Sequence, residues 1–143
     1  MVYIGIKKFS NLIITPSQAT PGSAGWDVYS PLTFSLYANG GIHILDLGFS
    51  LEIPANYYMS IVPRSSLGKK GILIPNSPAT IDSDFRGSVR LIMQNNNNKD
   101  IIINKDERIA QLILQRYSEI EFVDKEEFEE TLRGIGGFGS TGK

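Results

Sequence analysis

Ala79-Thr80-Ile81-Asp82-Ser83-Asp84-Phe85-Arg86-Gly87 lies between two apolar runs. Ile72, Leu73 and Ile74 precede it, and after it Val89, Leu91 and Met93 alternate with Ser88 and Arg90. Apolar alternation with a period of two predicts strands with one buried face. Asp82, Phe85 and Arg86 are therefore expected in a hairpin turn, at a mouth of the fold and outside its core. An extended chain projects Asp82 and Asp84 to the same side. An Asx-type turn closed by Gly87 accounts for the pattern by itself. A carboxylate, an aromatic ring and an arginine on one rigid ribbon also make a pocket for a ring and an anion.

Outward from this stretch, short strands alternate with turns. Val2, Ile4 and Ile6 predict a first strand ending at Lys7-Lys8, and residues 15–23 read as a loop from their Pro, Gly, Ser and Thr content. Leu32, Phe34 and Leu36 alternate up to a turn at Asn39-Gly40-Gly41, and Leu45, Leu47, Phe49, Leu51 and Ile53 predict one long strand ending at Pro54. Residues 57–62 follow as another strand, residues 95–98 as a polar turn, and residues 101–103, 108–117 and 119–123 as further strands. Ser65 to Lys70 reads as a helical turn with serine at its N-cap. Residues 124–132 suit either a short helix or a solvated connector. The whole argues for an all-β barrel or sandwich.

The chain's 143 residues, 41% hydrophobic and 20% charged, suit one globular domain with a single core. A net charge of −1 argues against non-specific nucleic-acid binding, which needs a basic field. No apolar run approaches a membrane span, and the start lacks the plan of a signal peptide. With no cysteine and one histidine, disulfides and ordinary zinc sites are excluded. A metal would be a hard ion held by carboxylate, water or phosphate, with Mg²⁺ the natural candidate.

Four other stretches carry chemistry. Pro63-Arg64-Ser65-Ser66-Leu67-Gly68-Lys69-Lys70-Gly71 ends a strand and opens a helical turn. It reads as a solvated basic turn or, with its arginine and serines, as an anion site; the Walker spacing is missing. In Ala24-Gly25-Trp26-Asp27-Val28, Asp27 either supports a hydrated metal or pairs with an arginine. Arg108 and Gln111, in a mostly apolar strand, need polar partners, and Arg108–Asp27 is a reasonable pair. Arg133 to Gly142 is glycine-rich, with Phe138, Ser140 and Thr141 able to cover a base and donate to phosphate. By itself such a terminus reads sooner as a disordered tail. His43 reads as an ordinary surface histidine.

In order and approximate spacing, AGWDV, PRSSLGKKG, ATIDSDFRG, RIAQLI and RGIGGFGSTG resemble the five motifs of the homotrimeric dUTPases, from Ala24 to Gly142. The resemblance implies a jelly-roll-like β-barrel subunit over residues 1–132, with one short helix, and a flexible tail over 133–143 that closes over the active site. It also implies a homotrimer whose sites combine residues of several subunits. The implied reaction is hydrolysis of dUTP to dUMP and pyrophosphate with Mg²⁺, which limits uracil in DNA and supplies dUMP for dTMP synthesis. Matched position by position, Asp82 corresponds to the base that activates water and Phe85 to the ring that packs on deoxyribose. Asn76 matches a position near uracil. Arg64, Ser65, Ser66 and Gln111 match positions at the phosphates, and Asp27 matches a carboxylate that supports the metal through water. Arg133, Phe138, Ser140 and Thr141 belong to the closing tail.

The sequence departs from the family pattern in Phe85 for tyrosine, Ser66 and Ala79 for glycine, and Asp106-Glu107 for glycine-aspartate. Ala79 would be strained if its backbone needed positive φ. A dUTPase-like homologue reduced to nucleotide binding or regulation is the alternative, and a dCTP deaminase on a related fold is a third reading. An intracellular place, cytoplasmic or nuclear, is expected, and a virus-encoded copy fits equally.

Overall fold

The computed structural model describes residues 1–137. Its elements are β1 (Gly5–Lys8), β2 (Trp26–Tyr29), β3 (Phe34–Leu36), β4 (Gly41–Asp46), β5 (Phe49–Glu52), β6 (Tyr57–Val62), α1 (Ser65–Lys69), β7 (Ile72–Leu73), β8 (Ala79–Ile81), β9 (Arg90–Asn95), β10 (Ile101–Ile103) and β11 (Arg108–Arg116). The expected all-β, jelly-roll-like fold with one short helix is the one observed. Four sheets, ordered β1-β5, β10-β3, β2-β11-β6-β8 and β4-β9-β7, enclose a common core and are not joined into one closed ring among the described residues. Every strand pair among the described residues is antiparallel. Val28, Leu45, Phe49, Ile61, Leu91 and Ile109 lie at its centre, each essentially without solvent contact. No helix among the described residues is long and apolar enough to cross a membrane.

The quoted stretch behaves differently from a hairpin. β8 pairs with β6, whereas β9 pairs with β4 and β7, so the strands on either side of Asp82–Ser88 belong to different sheets. The stretch is a crossover, and periodicity cannot report this because both strands bury alternate residues whichever sheet they join. A second correction has the same origin. The single strand expected over residues 45–53 is two, broken at Gly48, whose φ of +78° only glycine adopts readily. β4 then runs with β9 and β5 with β1.

Smaller differences follow from side-chain chemistry. The first strand starts at Gly5, three residues later than the alternation indicates. The N-cap of α1 is Arg64 rather than serine, without a side-chain cap, and buried Leu67 anchors the helix instead. Asn95, expected in a polar turn, is the fully buried last residue of β9. Its amide donates to the carbonyls of Leu36 (2.9 Å) and Lys99 (2.8 Å), and its oxygen accepts from the Asn97 N–H (3.0 Å). His43 is half-buried and stacked on Phe34, ring centroids 4.1 Å apart. Residues 119–123 form no strand and residues 124–132 no helix, which leaves the solvated connector.

The departures in glycine usage are resolved by the backbone. Ala79 lies in regular β8 opposite Ile61 and is not among the residues with positive φ. The left-handed position falls instead at Asp106, φ +65°, where the N–H donates to Ser30 O at 2.8 Å. Aspartate tolerates this region better than most residues.

Candidate active site

The predicted site residues fall into two groups. The first gathers where β2, β6 and β11 lie side by side. Asp27 is opposite Gln111, and Gln111 is opposite Val62. Asp27 Oδ1 pairs with Arg64 Nε at 2.8 Å and Oδ2 with Arg108 Nη1 at 3.2 Å. The expected Arg108–Asp27 pair is therefore present, and Arg64 shares the same carboxylate. Arg64 Nη1 also donates to Arg108 O at 3.3 Å. Gln111 Nε2 donates to Pro63 O at 3.2 Å, and its side chain lies so close to Gly25 that a Cβ there would stand 2.9 Å from Gln111 Cδ. Ser65 and Ser66 are exposed on the first turn of α1 beside this cluster. A register shift between Arg108 and Ala110 lets Ile109 and Ala110 both enter the core, which the regular alternation of residues 109–115 could not foretell.

The second group sits at the crossover. Asp82 follows β8 and lines an open groove of about 630 Å³ with Asp84, Ser83, Thr80, Tyr58 and Tyr117. The two carboxylates share this groove, although Ser83 and Asp84 lie in a turn and not in the extended chain that the spacing argument assumes. The two tyrosines, ring centroids 6.4 Å apart, carried no signal in the sequence because they are distant in the chain, and only the β6–β11 pairing brings Tyr58 of β6 beside Tyr117, the residue after β11. Phe85 is 43% exposed on the same turn, closed by Phe85 N–H donating to Asp82 O at 3.2 Å. Arg86 Nη1 donates to Ser83 O (2.6 Å) and Phe85 O (3.0 Å), so one nitrogen of the exposed guanidinium clips the turn. Asn76 is exposed in the turn before β8. Arg133 is exposed and donates from Nε to Gly136 O at 2.9 Å. Phe138, Ser140 and Thr141 lie outside the described residues.

These groups stand at opposite ends of β6. Met59 is opposite Ile81, so Asp82 lies near Tyr58, whereas Arg64 is two residues beyond Val62. Six residues of extended chain span roughly 20 Å. Asp82 and Arg64 of one chain therefore cannot act on one phosphate.

The far end of the crossover is fixed by Asp46. It accepts hydrogen bonds from Ser88 Oγ and from Gly48 N–H (2.8 Å), with Arg90 Nε 3.7 Å away. The Ser88 hydrogen bond, then those from Gly48 and Arg90, outweigh partial burial and hold the carboxyl below its ordinary 3.8. A depressed folded pKa stabilises the fold above the unfolded value, and the gain is lost as pH falls through the folded value. Asp46→Asn is expected to lower the melting temperature near neutral pH, with the deficit vanishing in acid below pH 3.8. A deficit independent of pH, measured by thermal melts across this range, would show that charge is not what anchors the loop.

The donor set also bears on Mg²⁺. No three acidic, histidine or cysteine side chains among the described residues group to hold a metal. Mg²⁺ keeps several waters and is commonly bound by one or two carboxylates plus substrate phosphate. Asp27, with spare lone pairs on both oxygens beside two arginines, fits an ion that arrives with a triphosphate.

An antiparallel β-fold of the jelly-roll type, with a carboxylate–aromatic crossover and an arginine–glutamine cluster, defines the class. The dUTPase family model matches residues 11–142, and the chain belongs to the dUTPase family. It is 39% identical over 145 residues to the deoxyuridine 5'-triphosphate nucleotidohydrolase of Rickettsia prowazekii (strain Madrid E), covering 99% of this chain and 98% of that protein. It is also 39% identical over 139 residues to that of Nautilia profundicola, with 96% and 97% covered. Among solved structures, a Staphylococcus bacteriophage 80alpha dUTPase with dUPNHPP superposes with a TM-score of 0.90 at 24% identity, over 99% of both chains. A mutant dUTPase from phage phi11 of S. aureus, described with a structural Mg(II) ion, gives 0.81 at 19% identity, over 90% and 99%. At these identities the structural likeness concerns the fold.

Proposed function

We propose that this chain hydrolyses dUTP to dUMP and pyrophosphate, with Asp82 as the general base. The observation that carries the reading is an exposed carboxylate in an open groove, on the crossover that also presents Phe85, in a chain whose curated relatives are named for this reaction. Water splits the α–β phosphoanhydride, Asp82 takes the water's proton, and pyrophosphate leaves. Such a reaction needs mainly positioning and one base. Phe85 packs on deoxyribose and leaves no room for a 2′-OH, and Asn76 lies beside uracil. Arg64, Ser65, Ser66 and Gln111 bind phosphate oxygens. Asp27 orients Arg64, and would hold a Mg²⁺ ion through water; when bound, that ion neutralises triphosphate charge. Arg133, Phe138, Ser140 and Thr141 act from the last eleven residues as the part that closes over nucleotide.

The site is completed by further copies of the chain in a homotrimer. The distance between Asp82 and Arg64 supports this, since a base-activated water must lie about 3 Å from the phosphorus it attacks. Exposed apolar side chains support it too. Ile42 and Ile44 project from the outer face of β4, and beyond β11 the connector exposes Ile120, Phe122 and Phe128. Surfaces of this kind are covered by partners.

Pyrophosphate release from dUTP, compared with dCTP and UTP, tests the reading. Turnover is expected for dUTP, with little for the other two. Tight dUTP binding without turnover would assign the chain to regulation, and ammonia release from dCTP to deamination.

A further inference from the structure

Gly87 touches one side chain closely, that of Phe85. A Cβ on Gly87 would stand 2.6 Å from Phe85 Cζ and 2.9 Å from Cε2, while the next nearest atom, Cε1 of the same ring, is at 3.5 Å. Carbon atoms do not approach below about 3.5 Å without repulsion. The backbone gives no other reason for glycine here, because φ at Gly87 lies outside the left-handed region. The ring, not the turn, requires the missing Cβ.

The neighbouring contacts hold the backbone on both sides of the ring. On one side the turn is closed by Phe85 N–H on Asp82 O and clipped by Arg86 on Ser83 O. On the other, Ser88 Oγ donates to Asp46. With both ends of the crossover held, an added methyl group at residue 87 has only the exposed ring to displace. We propose that Gly87 is a positioning residue for sugar discrimination: by lacking a Cβ, it seats the Phe85 ring where that ring excludes a 2′-OH. This rests on the reading of Phe85 as the deoxyribose-facing ring given above.

The test compares kcat/KM for dUTP and UTP in Phe85→Ala, Gly87→Ala and the double variant, each checked by melting curve. Phe85→Ala is expected to raise the UTP-to-dUTP ratio by about tenfold or more. Gly87→Ala shifts the ratio in the same direction with the fold intact. The double variant matches Phe85→Ala, because without the ring the new methyl group displaces nothing. An unchanged ratio in Gly87→Ala, with Phe85→Ala raised, overturns the seat and leaves the sugar reading standing. A Gly87→Ala effect that persists in the Phe85→Ala background also overturns it. No change in Phe85→Ala removes the sugar reading and this inference together. The parent protein supplies a check that needs no Gly87 variant: its Gly87 Hα resonances should show a ring-current shift that disappears in Phe85→Ala. A parent without that shift overturns the seat.

Discussion

Asp82→Asn is expected to lower kcat for dUTP by about 10²–10⁴-fold, the range a positioned general base contributes, with little change in nucleotide affinity. The amide fills the carboxylate's volume but does not accept the water's proton. Stability should not change with it. Asp82 is exposed, no ion pair among the described residues engages its carboxylate, and its backbone carbonyl still accepts from Phe85 N–H. Single-turnover kinetics with a binding isotherm and a melting curve separate the outcomes. A variant that keeps most of its kcat would make Asp82 a turn-forming residue and require another base, with Asp84 of the same groove the first to test. A variant that loses activity together with its fold would show that the carboxylate supports the crossover rather than the chemistry.

Two inactive variants are expected to restore each other when mixed. Arg64 and Asp82 stand at opposite ends of β6 in one chain, so a shared site takes one from each of two copies. Asp82→Asn supplies intact Arg64, and Arg64→Ala supplies intact Asp82. Asp27 keeps Arg108 as a partner at 3.2 Å in the second variant, so its carboxylate is not left unpaired. After co-refolding at equal amounts, random assembly gives about a quarter of the sites both intact groups, if each group always comes from a different copy. Activity should rise from near zero in either parent to that fraction of the wild type. Mixed oligomers of verified mass that stay inactive would sink the shared-site reading. They would leave the one-chain distance unexplained and require a large rearrangement within a subunit.

Much of this architecture is legible in the sequence. The alternation of Val89, Leu91 and Met93 is an inward face, all three buried, because side chains of a strand point to opposite sides by turns. The Asp27–Arg108 pair was foreseeable because a charged side chain in an apolar strand needs a partner of opposite sign. Asp82 and Asp84 do share a groove, but a turn brings them there and not the extended spacing of two. What alternation did not show is which sheet each strand on either side of Gly48 and of Asp82 joins. The run from Leu45 to Ile53 looked continuous, yet Gly48 turns it from one sheet to another. Ala79 stood where the family has glycine, but the left-handed residue is Asp106.

Local sequence determined the strand content, the buried faces and the five chemical stretches, since these depend on side-chain period and residue type within a few positions. Tertiary structure alone decided three things. It made Asp82–Ser88 a crossover between sheets rather than a hairpin, and it paired Arg64 with Asp27. It also put Asp82 and Arg64 at opposite ends of a strand. The physical reason is common to all three: strand pairing is made by hydrogen bonds between segments distant in the chain, and a period-two pattern is the same whichever partner supplies them.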